Sequence, residues 1–89
     1  MTTKTPNDLT SVISSNARAR RKEKSLSMKQ LSEMSGVSFG SVRRFEEKGE
    51  ISLKSLCKIA IVLDCADDFE QLFKQEAPKT IQEIIDGNL

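Results

Sequence analysis

Eighty-nine residues with a formal net charge of +1 are the size of one small domain with a modest core. There is no histidine, and Cys57 and Cys65 are the only thiols. The usual four-ligand zinc site and nucleophile–histidine catalysis are therefore excluded, and neither an enzyme nor a cofactor or metal site is expected.

No stretch approaches the roughly 20 apolar residues of a membrane span, and residues 1–10, MTTKTPNDLT, lack the apolar run of a signal peptide. A cytoplasmic protein without a membrane partner is the expectation. The near-neutral total hides an asymmetry. Residues 1–48 hold ten Lys/Arg against five Asp/Glu, a net +5; residues 49–89 hold four against eight, a net −4. Such a division suggests a basic face for a polyanion and a separate acidic region.

In chain order, residues 1–7 read as a flexible polar N-terminus. Asn7 or Asp8 is placed to cap a first helix reaching about Lys24, with Leu9, Val12, Ile13 and Ala17 at helical spacing. Arg18, Arg20, Arg21, Lys22 and Lys24 crowd its second half, where cations complement the helix C-terminus.

Residues 27–47 then read as two short helices joined by a tight turn. Ser27 and Gln30 form an S-x-x-Q capping box, and Leu26 and Leu31 sit at staple positions. Gly36 ends this helix in the left-handed conformation. Ser38 caps the next helix, with Val37 and Val42 as a second staple. Leu31 and Met34 are expected in the core from the first helix of the pair, and Val42 and Phe45 from the second. Phe39, Gly40, Arg43 and Arg44 are left on the outward side. A glycine followed closely by a new helix start is the layout of a helix-turn-helix.

Gly49 stops this helix and Ser52 caps a fourth, with Leu53, Leu56, Ile59, Ala60 and Leu63 as its buried stripe and Ile61 and Val62 widening it. Cys57 fits there as a small apolar residue. Three acids among residues 64–68 suit the start of a fifth helix, whose inner face is Phe69, Leu72 and Phe73. Residues 74–89 form a tail set apart by Pro78. Within it Thr80 and Glu83 make another capping box, and Ile81, Ile84 and Ile85 form an apolar edge that needs a partner surface. The expected organisation is thus all-α: five helices, a helix-turn-helix domain over 8–73 with its core at 27–47, and a C-terminal tail.

Residues 26–38, LSMKQLSEMSGVS, resemble the opening of the lambda-repressor-like (Cro/CI-type, XRE) helix-turn-helix family. Val42, Phe45, Glu46 and Gly49 continue its pattern, and Leu53, Leu56, Ile59, Ala60 and Leu63 match its following helix. The likeness covers about residues 13–73. Residues 48–52 make a shorter connection than many members have.

The resemblance implies sequence-specific binding of double-stranded DNA and regulation of transcription, as a repressor and a homodimer. It carries Phe39, Gly40, Arg43 and Arg44 to the side that contacts bases, with Arg44 suited to guanine. Ser27, Lys29, Ser38 and Ser41 are placed for phosphates, as Arg43 also is, and Arg21 is paired with Glu46 in a structural ion pair. Residues 43–73 and the apolar tail also look like HipB-type antitoxins, which bind DNA and neutralise a HipA-type kinase toxin. An association surface is expected at Phe69, Leu72, Phe73, Ile81, Ile84 and Ile85, for a second copy or for a toxin.

Overall fold

The computed structural model describes residues 4–74, and among them the chain forms five helices and no strand. They are α1 (Pro6–Glu23), α2 (Met28–Ser35), α3 (Phe39–Lys48), α4 (Leu53–Val62) and α5 (Ala66–Glu70). The expected all-α architecture is observed. The tail residues Ile81, Ile84 and Ile85 lie outside the described residues.

Helix starts follow local chemistry. Ser27, Ser38 and Ser52 each accept a hydrogen bond from the backbone N–H three residues on, and at α2 Gln30 returns the bond to Ser27 N–H at 2.8 Å. α1 begins earlier than expected. Its cap is Thr5, neither Asn7 nor Asp8. Asp8 N–H donates to Thr5 Oγ1 at 3.1 Å, Thr5 N–H donates to Asp8 Oδ2 at 3.0 Å, and Pro6 occupies the first helical position. The Thr5 N–H and hydroxyl hold the Asp8 carboxyl below its ordinary pKa. A carboxylate lowered in the folded state stabilises at neutral pH, and that contribution is lost as pH falls through the lowered value.

Helix ends are less regular. Gly36 and Gly49 take positive φ, 76° and 72°. Ser25 and Asp64 do the same without being glycine, at φ 57° and 59°. Each sits in a Schellman-type turn, closed by Leu26 N–H to Arg21 O at 3.1 Å and by Cys65 N–H to Ala60 O at 2.8 Å. Lys24 Nζ donates to Asp64 at 2.6 Å, fastening the two turns together and lowering the Asp64 pKa.

The core is Leu31, Val37, Val42, Phe45, Ile59 and Leu63, with Ala17, Leu26, Met28, Ile51, Leu56, Val62 and Cys65 packed at its edge. α2 packs on α3 and α4, α1 packs on α3, and α5 packs on α4. Both staple pairs lie in or against this core.

Several expected core positions are displaced, for geometric reasons. Met34 is 60% exposed. The inward arc of α2 runs through Met28, Leu31, Ser32 and Ser35, and at about 100° per residue Met34 lies well off its centre. Ser32 faces inward because its hydroxyl donates to Val37 O at 2.5 Å, closing the turn.

α1 departs most. Its inward stripe is Thr10, Ser14, Ala17 and Arg21, whereas Leu9, Val12 and Ile13 are exposed. Leu53 and Ile61 on α4 are exposed, and so are Leu72 and Phe73, which do not form an inner face. Cys57 is half-buried, and Phe69 is partly covered.

Gly49 is constrained twice, by φ and by proximity. A Cβ there would lie 3.0 Å from Thr10 Cβ, whereas one on Gly36 would meet nothing within 4 Å. Gly36→Ala should cost about 1–2 kcal/mol, the strain of a left-handed residue alone. Gly49→Ala should cost more than Gly36→Ala, because α1 must also move away. Urea denaturation of the two variants measures the difference, and equal losses would show that Thr10 yields freely.

Candidate nucleic-acid interface

The recognition side of the molecule is set by what holds its back. Glu46, on the inward flank of α3, accepts from Arg21 Nε at 2.7 Å and from Nη2 at 2.8 Å, and Arg21 Nη1 donates to Leu26 O at 2.7 Å. The two side chains are only 10% and 6% exposed. One guanidinium thus ties α1 to α3 and to the residue leading into α2. Its pKa is raised, chiefly by the hydrogen bond to Glu46 and against the opposing effect of burial, so the guanidinium stays charged. No buried side-chain N or O atom lacks a partner among the described residues.

Val42 and Phe45 bury the inner side of α3. Gly40 and Arg44, two and one residues from Val42 and Phe45, fall opposite, flanked by Arg43 and Glu47. All are exposed, and Phe39 stands exposed at the start of the helix. The four positions expected to face bases therefore share one outward side of α3.

At its N-terminus Ser38 Oγ accepts from Ser41 N–H at 3.2 Å and donates to Ser41 Oγ at 2.8 Å. The N–H groups of the first turn have no acceptor further back in the helix, so this end favours an anion. Ser27 and Lys29 lie exposed on the first turn of a separate helix, α2, and the Ser27 hydroxyl is committed to its cap.

Two carboxylates belong to this surface and were missed by the sequence reading. Arg43 Nε donates to Glu47 at 3.0 Å, and Arg44 donates to Glu50 through Nε at 2.8 Å and Nη2 at 2.5 Å. The i,i+4 spacing of Arg43 and Glu47 was a readable signal. The Arg44–Glu50 pair crosses the end of the helix and had none. Glu50 engages one edge of the Arg44 guanidinium, through Nε and Nη2, and among the described residues Nη1 has no hydrogen bond. These pairs are more than half exposed, and such bridges contribute about 0–1 kcal/mol. A guanine edge or a phosphate can displace them at little cost.

A family model described as helix-turn-helix matches residues 18–69, well over half of the chain. The chain belongs to this helix-turn-helix family. The match spans the last third of α1 through most of α5, and so contains the Arg21–Glu46 pair and the whole outward side of α3. No curated protein and no solved structure matches the chain. Membership makes this helix-turn-helix protein a DNA-binding regulator of transcription, and among the described residues no helix is long and apolar enough to cross a membrane.

The Arg21–Glu46 pair has a measurable signature. Arg21→Ala or Glu46→Ala should each destabilise the fold by about 3–5 kcal/mol, because each strands a buried charge. The double variant should lose less than the sum of the two, with a coupling of about 0.5–3 kcal/mol. Chemical denaturation of the four proteins closes the cycle, and additive small effects would refute a buried pair.

Proposed function

We propose that the protein represses transcription by laying α3 into the major groove of specific duplex sites, with two copies on a two-fold operator. The observation that carries this reading is the division of α3: Val42, Phe45 and the paired Glu46 on one side, Gly40, Arg43 and Arg44 on the other. In this reading Arg44 pairs with the O6/N7 edge of a guanine. Phe39 and Gly40 lie against neighbouring base edges. Arg43, Ser27, Lys29, Ser38 and Ser41 bind phosphate and hold the register. Half-sites would lie one helical turn apart, about 34–36 Å.

Gly40 supports close approach. A Cβ there would meet nothing within 4 Å, so no packing within the described protein requires a glycine, although glycine inside a helix costs up to about 1 kcal/mol relative to alanine. Gly40→Ala should therefore raise stability slightly and weaken DNA binding. Thermal melts and binding titrations on one preparation check both signs, and a stabilised variant with undiminished affinity would remove Gly40 from the interface.

The experiment for the function is titration against the DNA upstream of the protein's own reading frame. Affinity should fall with salt by about 0.9 log unit per log unit of salt for each phosphate contact. Arg44→Ala should cost about 1–3 kcal/mol on the specific site and relax preference at one base pair. Arg43→Ala should weaken all duplexes alike. A uniform loss in both variants would make Arg44 a phosphate ligand, and no binding to any duplex would refute the reading.

A second reading keeps DNA binding and adds neutralisation of a HipA-type kinase toxin. The exposed apolar residues Leu72 and Phe73 favour it. A kinase gene beside this one, and co-purification of the two products, would distinguish it.

A further inference from the structure

α1 and α4 each pack on other helices and leave a gap between themselves, closed at one end by α5. The gap is an apolar groove of about 670 Å³, within the roughly 300–1,000 Å³ of cavities that enclose a ligand. Ile13 and Ala17 form one wall, Leu53 and Leu56 the other, and Phe69 and Phe73 the end. Ile13, Leu53 and Phe73 are exposed among the described residues, Leu53 at 69% and Phe73 completely. Phe73 also holds a positive φ of 62°, which is unusual for a bulky side chain.

We propose that residues 80–86 of the same chain dock in this groove as a short helix, with Ile81, Ile84 and Ile85 on its floor. Three considerations select this occupant. The chain leaves the groove at Phe73, which lines it, and Thr80 follows seven residues on, a reach of at most about 25 Å. Ile81, Ile84 and Ile85 lie at i, i+3 and i+4, the spacing of one helix face, and the Thr80–Glu83 box is a helix start.

The rim of the groove carries one cation, Arg20, and one acid, Asp68, so charge there neither favours nor opposes the acidic segment with its Glu83 and Asp86. Finally, a tether this short presents the segment at an effective concentration in the millimolar range. A second copy at micromolar concentration would have to compete with that. The association surface at Phe69, Leu72 and Phe73 is then intramolecular. It also stands apart from the outward side of α3, so the proposal does not depend on how DNA is read.

The test uses the full chain. One variant replaces Ile81, Ile84 and Ile85 with serine. The other is Leu53→Glu, at an exposed first-turn position of α4 where an acid is favourable to the helix itself. Each should lower Tm by about 5–10 °C, and the combined variant should lose little more than either alone. Nuclear Overhauser contacts should link the isoleucine methyls to Leu53 and Phe69. They should vanish in an isotope-filtered experiment on mixed labelled and unlabelled protein, which detects contacts between chains only.

Contacts that persist in the filtered experiment would give the groove to a second copy and overturn the proposal. Unchanged Tm with no contacts would overturn it too, leaving the groove to a different protein. A variant that fails to fold is separated from one that merely undocks by the dispersed amide spectrum of residues 26–63.

Discussion

A single guanidinium inside the molecule decides how the recognition helix is held. Arg21 donates through Nε and Nη2 to the Glu46 carboxylate and through Nη1 to the Leu26 carbonyl, so α1, α3 and the residue leading into α2 meet at one planar group. Taking two ions out of water costs several kcal/mol each, and bidentate geometry with further hydrogen bonds is what offsets it. Such a pair adds little net stability over apolar packing. Its geometric effect is to hold α3 in one rotation, since Glu46 must face Arg21 for both bonds to form. The backbone reinforces the same point, since Leu26 N–H donates to Arg21 O in the turn that ends α1.

With the rotation of α3 set from behind, its front can afford side chains that contribute nothing to folding. A Cβ at Gly40 would meet nothing within 4 Å, Arg43 and Arg44 are held by weak exposed bridges, and Phe39 is 44% exposed. The glutamates beside the arginines also reduce the net charge of this surface. A less cationic face has a smaller non-specific attraction to phosphate, which leaves a larger share of discrimination to base contacts.

α1 illustrates a helix serving two surfaces. Thr10, Ser14, Ala17 and Arg21 face α3 with small or paired groups, which allows close approach; Gly49 comes near enough to Thr10 that a single methyl would collide. The larger apolar residues Leu9, Val12 and Ile13 are turned away from that contact. With Leu53, Ile61, Leu72 and Phe73 they make seven large apolar residues exposed among the described residues.

The sequence by itself determined the helix-turn-helix and its caps. Ser27, Gln30, Gly36, Ser38, Gly49 and Ser52 act on backbone groups within a few residues, and local chemistry needs no tertiary context. The outward side of α3 was legible from Val42 and Phe45 at i and i+3, whereas the Arg21–Glu46 pair was legible only through family resemblance, since no short-range spacing connects residues 25 apart.

What tertiary structure decided was which side of each helix is inside. On α1 the apolar spacing suggested Leu9, Val12 and Ile13, but the stripe that packs is the one with small side chains and the arginine. On α2 an inward serine hydroxyl displaced Met34 from the core, and on α4 Leu53 was left at the margin. Ser25 and Asp64 escaped notice as helix ends because their left-handed turns are held by backbone hydrogen bonds and the Lys24–Asp64 contact, not by a glycine. In each case the outcome depends on how closely two helices approach, a distance set by all the side chains between them and by no single segment of the chain.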